Sequence, residues 1–141
     1  MKVNIKKGLD INLEGPAEKI IKDGKSNQLV AIKPSDFPGL TPKMLKKEGE
    51  SVSCGTPIFF DKYNDLIKYA SPVSGTLKSI VRGAKRKITS IILESDGKMT
   101  QASNDSSDLA KKSREEVVSS LLDSGLWPLI RMRPIDIVAQ P

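Results

Sequence analysis

The chain has 141 residues, which is enough for one ordinary domain or for a domain with an appendage. Apolar residues make up 38% of it, and together with the 10 glycines they approach the usual globular share, which excludes disorder throughout. It has one cysteine and no histidine, so zinc fingers, histidine-ligated metal sites, iron–sulfur clusters held by this chain alone and Ser-His or Cys-His nucleophiles are excluded.

The apolar residues form only short runs. The sequence therefore predicts no membrane-spanning helix, and the polar residues after Met1 predict no secretory signal. A single cysteine in a chain without such a signal is typical of a reducing cytoplasm.

The charge is basic, with 23 Lys and Arg against 17 Asp and Glu, a net charge of +6. Much of the excess lies in short clusters, and such a balance is compatible with nucleic acid, an anionic membrane surface or an acidic protein. Single-strand binding would need aromatic side chains between the basic residues, but aromatics are only 4% of the chain. We therefore predict no nucleic-acid partner and interpret most clusters as solvated faces.

The first part of the chain has strand periodicity. Apolar residues alternate with polar ones at 3–5 and at 9–13, and Gly15 and Pro16 end the pattern. Residues 28–32 form a second strand-like run, and the proline-rich stretch 34–42 is predicted to be a loop.

The pattern in the middle of the chain predicts many short strands separated by Gly and Pro turns, which favours a small β-sandwich or barrel. The predicted strands are residues 51–52, 57–60, 66–70, 76–81 and 88–93, with turns at 63–65 and 71–75.

A polar stretch and a helix follow. Residues 96–112 are predicted to be a linker. Ser113 and Glu116 fit the capping box of a helix that ends at Gly125, and its apolar stripe must cover a core. The stripe consists of Val117, Val118, Leu121 and Leu122. A second short helix is predicted with Pro128 in its first turn.

The segment 48–75 resembles half of a biotinyl/lipoyl domain, in the plan E-G-E-x-V, G-T-P-I-F and then S-P-V-S-G-T-L. We expect Gly49, Gly55 and Gly75 to supply positive φ at its chain reversals. Asp61 and Lys62 resemble the lipoyl Asp-Lys pair, which raises the alternative of a carrier modified at Lys62. The family has its lysine at a hairpin tip eight residues before the turn proline, whereas Pro72 lies ten residues after Lys62.

A wider set of motifs resembles the A subunit of the bacterial sodium-translocating NADH:quinone oxidoreductase family. In chain order these motifs are I-K-K-G-L-D, G-x-x-P, E-G-E-x-V-x-x-G, A-S-P-V-S-G-T and S-G-L-W-x-x-x-R-x-R-P, and they extend over nearly the whole chain. The C subunit of the Rnf-type NAD–ferredoxin complex shares a similar half-barrel and is kept as an alternative, but Gly-Leu-Trp with its Arg-Pro tail favours the quinone reductase.

The resemblance implies a mainly β fold: a barrel-sandwich hybrid followed by a C-terminal helix that begins an α/β domain. The implied division is residues 1–95 for the hybrid, 96–112 for the linker and 113–141 for the helical lead-in. It further implies the N-terminal portion of a peripheral subunit on the cytoplasmic face of the bacterial inner membrane, whose partners are the other subunits of a six-subunit membrane complex. FAD, FMN, 2Fe–2S and quinone are expected elsewhere in that complex.

No catalytic, cofactor-binding or metal-binding residue is predicted in this chain. The candidate interaction residues are Lys85, Arg86, Lys87, Trp127, Arg131 and Arg133. The first three lie in a strand connection and could meet an anionic membrane surface. Trp127 either anchors a contact or closes the helix onto the sheet. Arg131 and Arg133 either grip a carboxylate or phosphate together, or one of them ties down the chain end while the other is solvated.

Overall fold

The computed structural model describes residues 4, 8, 14–15, 17–25, 27–103 and 111–141. The strand periodicity predicted at 3–5 and 9–13 falls on residues outside this set, apart from Asn4. The same holds for residues 104–110 of the predicted linker.

Short antiparallel strands make up most of the described chain, and they agree closely with the predicted ones. The strands are β1 (Leu29–Ile32), β2 (Pro42–Met44), β3 (Ser51–Val52), β4 (Pro57–Asp61), β5 (Asn64–Ala70), β6 (Gly75–Arg82), β7 (Ile88–Ser95), β8 (Arg131–Met132) and β9 (Ile137–Val138). The helix α1 spans Arg114–Asp123, and 3-10 turns occur at Pro34–Asp36, Ala84–Arg86 and Trp127–Leu129.

The strands form two principal sheets, one in the order β1-β7-β6-β3 and the other in the order β2-β4-β5. Leu77, Ile91 and Leu93 of the first sheet share one buried cluster with Ile58 and Phe59 of the second. Burial of these faces in a common core is the main driving force for the arrangement. The architecture is thus mainly β with a C-terminal helix, and the two sheets are not closed into a barrel.

The chain reversals depend on glycines with positive φ, as predicted. Gly49 and Gly55 have φ of 87° and 90°, and Gly75 has φ of 147°. Gly75 begins β6 so close to β7 that a Cβ atom there would collide with the carbonyl oxygen of Glu94. Only glycine fits this position without displacing β7.

The hairpin between β4 and β5 differs from the prediction. The sequence predicts a turn at 63–65, but Asp61 pairs with Asn64, so Lys62 and Tyr63 form the tip and β5 already begins at Asn64. The carboxylate Oδ1 of Asp61 accepts the Tyr63 N–H at 3.3 Å and thereby caps the tight turn. The prediction is wrong because Asn and Asp are both common in turns, so the sequence fits a turn at 63–65 as well as one at 62–63. Only the pairing of β4 with β5 decides between them.

The C-terminal segment, residues 113–141, packs against the three-stranded sheet. Ser113 and Glu116 form the predicted capping box, and Gly125 follows the helix with φ of 70°. A Cβ atom on Gly125 would lie 2.8 Å from the Cβ atom of Ala70, so the helix end meets β5 at close range. The strands β8 and β9 then form a small hairpin.

The core is continuous from the sheets into this segment. Leu122, Trp127 and Val138 belong to the same buried cluster as the sheet residues. Val118 and Leu121 of the predicted stripe pack against it, while Val117 is half-buried. The division at residues 95 and 112 stays a prediction.

The start of the polar stretch is tied to the sandwich. The Cys54 N–H donates to the carbonyl of Thr100 at 2.8 Å, and the Cys54 carbonyl accepts from the Ala102 N–H at 2.8 Å. The hydroxyl of Ser74 accepts from the Thr100 N–H at 3.0 Å and donates to Asp96 at 2.6 Å. Helix α1 has 10 residues, and among the described residues no helix reaches the length and hydropathy of a membrane span.

Candidate docking surface

The basic turn, defined as Lys85, Arg86 and Lys87, projects from the connection between β6 and β7. Lys85 and Arg86 have positive φ of 52° and 58°, which reverses the chain within a few residues. The Gly83 N–H donates to the carbonyl of Lys87 at 2.8 Å, and the guanidinium of Arg82 donates to the carbonyl of Arg86 at 3.3 Å. The backbone of the turn is therefore fixed by hydrogen bonds while its cationic side chains point outward.

All three side chains of the basic turn are exposed. Among the described residues, no ion pair involves any of them. Their charges are available to an external anion, and no buried contact depends on them. This agrees with the predicted position in a strand connection.

Trp127 lies inside the fold, with 8% of its surface exposed. Its indole N–H donates to the carbonyl of Ala139 at 2.8 Å. This hydrogen bond ties the segment after α1 to the end of the described chain, and the burial of Trp127 among the sheet residues favours the alternative in which it closes the helix onto the sheet.

Arg131 makes several hydrogen bonds that hold the C-terminal hairpin in place. Its guanidinium donates to the carbonyls of Pro128 at 3.1 Å, Asp136 at 2.9 Å and Asp36 at 3.4 Å. It also lies 4.9 Å from the centre of the Phe37 ring, a cation–π distance. With its donors used inside the chain, Arg131 ties the end of the chain to the loop that follows β1.

Arg133 behaves differently from Arg131. Its side chain is exposed and approaches Asp136 only at 4.0 Å. Arg131 also approaches the carboxylate of Asp136, at 3.8 Å, so the two guanidinium groups share one carboxylate within the chain, and Arg131 in addition donates to backbone carbonyls. Neither arginine belongs to the connection that carries the basic turn.

A groove opens between the sandwich and the C-terminal segment, with a volume of about 350 Å³. We call it the C-terminal groove. Its lining is Ile32, Phe37, Cys54, Gly55, Tyr69, Ala70, Ser71, Pro72, Ser124, Gly125, Leu126, Pro128 and Leu129. No charged side chain is among these described residues. Sequence reasoning did not find this site, because its two walls are separated by more than fifty residues of chain.

Tyr69 forms part of the floor of this groove. Its ring stacks on Phe59 with centroids 4.7 Å apart and meets Phe37 edge-on at 4.8 Å. Burial raises the pKa of the Tyr69 phenol to about 12. A tyrosine phenol is neutral at physiological pH even with its ordinary pKa, and burial extends the neutral range further, so Tyr69 adds no charge to the groove.

A second cavity, of about 530 Å³, lies at the β3 end of the larger sheet and is polar. The pKa of Asp96 on its wall is lowered, mainly by the hydrogen bond from Ser74 and also by the Lys98 N–H. Ser74 and Thr56 use their hydroxyls for hydrogen bonds within the chain. These side chains hold the loops together.

Comparison with known families shows which family the chain belongs to. The family model described as the NqrA N-terminal barrel-sandwich hybrid domain matches residues 3–96, two thirds of the chain. The chain belongs to this family. The hybrid architecture implied by the sequence resemblance is confirmed.

Curated relatives match beyond that domain. The A subunit of the Na(+)-translocating NADH-quinone reductase of Psychromonas ingrahamii is 39% identical over 134 residues, which cover 94% of this chain and 30% of the relative. Subunits of the same name from Shewanella amazonensis and Teredinibacter turnerae are 40% and 37% identical over the same share of both chains. The chain thus spans about a third of the length of these relatives and corresponds to their N-terminal portion.

Proposed function

We propose that this chain is the N-terminal portion of the A subunit of a sodium-translocating NADH–quinone reductase, in which it serves as a docking part. The observation that carries the proposal is the match of both the hybrid domain and the segment after it to proteins of that name. By its name, that enzyme transfers electrons from NADH to quinone and translocates Na⁺.

In this proposal the chain performs no redox chemistry of its own. Its single cysteine and lack of histidine leave few side chains that bind iron–sulfur clusters or transition metals. The FAD, FMN, 2Fe–2S and quinone sites are proposed to lie elsewhere in the complex.

The proposed partners are the other subunits of a six-subunit complex at the cytoplasmic face of the bacterial inner membrane. The basic turn supports such a location because its three cations are exposed and held on a rigid connection. Each Lys or Arg near an anionic membrane surface adds about 1 kcal/mol, and the attraction decays over a Debye length of about 8 Å.

The test is a charge reversal at the native gene, Lys85→Glu, Arg86→Glu and Lys87→Glu together. We expect a smaller fraction of the full-length variant than of the wild type to bind the membrane complex. This difference between variant and wild type should be larger at low salt than at high salt. The melting temperature of the isolated chain should change by no more than about 2 °C, because exposed charges contribute little to folding.

The matched control reverses Lys19, Lys33 and Lys98, which are also exposed, and produces the same change in net charge. A fall that is equal in the control would point to overall charge as the cause. Normal assembly of the basic-turn variant at low salt would show that the turn is only a solvated loop.

Two alternatives are open from the sequence. The relatives favour the quinone reductase over the C subunit of the Rnf-type complex. One observation supports the alternative of a carrier modified at Lys62, because Lys62 is exposed at a hairpin tip. The distance of ten residues to Pro72 still differs from the carrier pattern, so we propose the docking role.

A further inference from the structure

An apolar ridge, a run of exposed apolar side chains that follows helix α1, begins at the C-terminal groove. We define it as Leu126, Leu129, Ile130, Met132 and Ile135, all of which are exposed. Leu129 and Ile135 are 76% and 65% exposed, and Leu126 and Leu129 also line the groove. Scattered exposed apolar residues are normal, but five within ten residues beside an uncharged groove are typical of a surface that another structure covers.

We infer that the C-terminal groove and the apolar ridge form an intramolecular docking surface, covered in the longer proteins of the family by an apolar part of the same polypeptide that follows this region. This inference rests on family membership and not on the proposed role of the basic turn.

The lengths of the relatives support this occupant. More than two thirds of each relative lies outside the matched region, and the matched region is the N-terminal one. More than two thirds of the polypeptide therefore follows this region in those proteins.

The position of the last described residues also supports this occupant. Ala139 donates its N–H to the carbonyl of Ile130 at 2.9 Å and accepts from the Trp127 indole. Polypeptide that continues past this hairpin in the relatives therefore starts beside the ridge. A covalently attached segment has an effective local concentration in the millimolar range, so a modest apolar surface suffices for docking.

The chemistry of the groove restricts the occupant. Because no charged side chain lines the groove among the described residues, a charged side chain that entered it would lose its hydration without gaining a partner. Aliphatic or aromatic side chains would instead remove the walls of the groove and Leu129 from water together.

Cys54 offers a direct readout. It is the only cysteine of the chain, it is half-buried in the groove wall, and its thiol lies 3.3 Å from the carbonyl of Pro72. The rate of its reaction with a small maleimide therefore reports whether the groove is covered.

The experiment compares this chain alone with a chimera in which it replaces the matched region of the Psychromonas ingrahamii protein. Peptide mass spectrometry separates Cys54 from the cysteines of the relative. We expect Cys54 to react about tenfold more slowly in the chimera, the ratio that corresponds to about 1.4 kcal/mol of docking. Leu126→Asp or Leu129→Asp in the chimera should restore the fast rate.

The control is Leu45→Asp, because Leu45 is 46% exposed, close to the 50% of Leu126, but lies outside the groove. This variant should leave Cys54 protected. If the chimera does not fold, the same rate is measured after the remainder of the relative is added to this chain as a separate polypeptide.

Equal rates with and without the following polypeptide would overturn the inference. So would a rate that slows in the isolated chain as its concentration rises, since a second copy would then cover the groove. If anionic vesicles slow the reaction of Cys54 but the following polypeptide does not, the surface would be assigned to a membrane. That result would also overturn the inference. The vesicle measurement is made on the chain that carries the basic-turn charge reversal, so that none of these results depends on the basic turn and the proposed function is tested separately.

Discussion

Gly75 shows how much one residue constrains this fold. It stands where β6 begins, with φ of 147°, and its Cα faces the backbone of β7. Gly49 also has positive φ, but a Cβ atom there would meet nothing within 4 Å. The two glycines therefore separate the cost of backbone strain from the cost of a collision.

We expect Gly75→Ala to lower the free energy of unfolding by about 3 kcal/mol, because the new methyl group must displace the Glu94 carbonyl as well as strain φ. The control Gly49→Ala should lower it by only about 1 kcal/mol, the cost of a left-handed conformation alone. Urea unfolding measures both values. Equal losses would mean that β7 moves away from position 75 without penalty.

Helix α1 is held at its N-terminus by reciprocal hydrogen bonds. The Ser113 N–H donates to a carboxylate oxygen of Glu116 at 2.7 Å, and the Glu116 N–H donates to the Ser113 hydroxyl at 3.3 Å. The pKa of Glu116 is lowered, mainly by the backbone N–H of Ser113. At the other end, the hydrogen bond from Lys68 lowers the pKa of Asp123 and ties the helix to β5.

These carboxylates make stability depend on pH in the acid range. The pKa of Glu116 is lower in the folded state than the ordinary value of 4.5, so its contribution is fully present above pH 4.5 and is lost as the pH falls through the folded-state pKa. We expect Glu116→Gln to flatten the acid fall in melting temperature, because glutamine can still cap the helix but does not titrate there.

Glu115→Gln is the matched control, since Glu115 lies in the same first turn but outside the capping box. A control variant that flattens the curve as much as Glu116→Gln would attribute the effect to general charge repulsion at acid pH. Melting temperatures measured from about pH 3 to neutral pH, a range that spans ordinary carboxyl titration, decide between the two explanations.

At the scale of the whole molecule, the sheets and the C-terminal segment share one core. Trp127 is the only tryptophan of the chain and is buried in the C-terminal segment, and the same cluster contains Leu77 from one sheet and Phe59 from the other. Such sharing predicts cooperative unfolding.

We expect the urea transition followed by Trp127 fluorescence to coincide with the one followed by far-ultraviolet circular dichroism of the strands. Gly125→Val should shift both transitions together, because a larger side chain there meets Ala70 on β5. An earlier fluorescence transition would show that residues 113–141 unfold as a separate unit, in keeping with the predicted domain division.

Local signals are enough to predict most of the elements. The spacing of apolar residues in β6 and β7, the glycines at the turns and the capping box at Ser113 all rest on neighbours in sequence. The turn predicted at 63–65 is wrong because Asp61, Asn64 and Asp65 all suit turns, and only the pairing of β4 with β5 chooses between registers.

The sequence by itself determined the strand-rich hybrid domain, its positive-φ glycines and its capped helix, and its motifs determined the family. Only the tertiary structure decided that Arg131 is used inside the chain, that Trp127 is buried, and that Ile32 and Leu129 line one groove. The reason is that periodicity and turn chemistry act over a few residues. The partners of a guanidinium, an indole or an apolar wall come from segments that meet only when the two sheets and the C-terminal segment pack together.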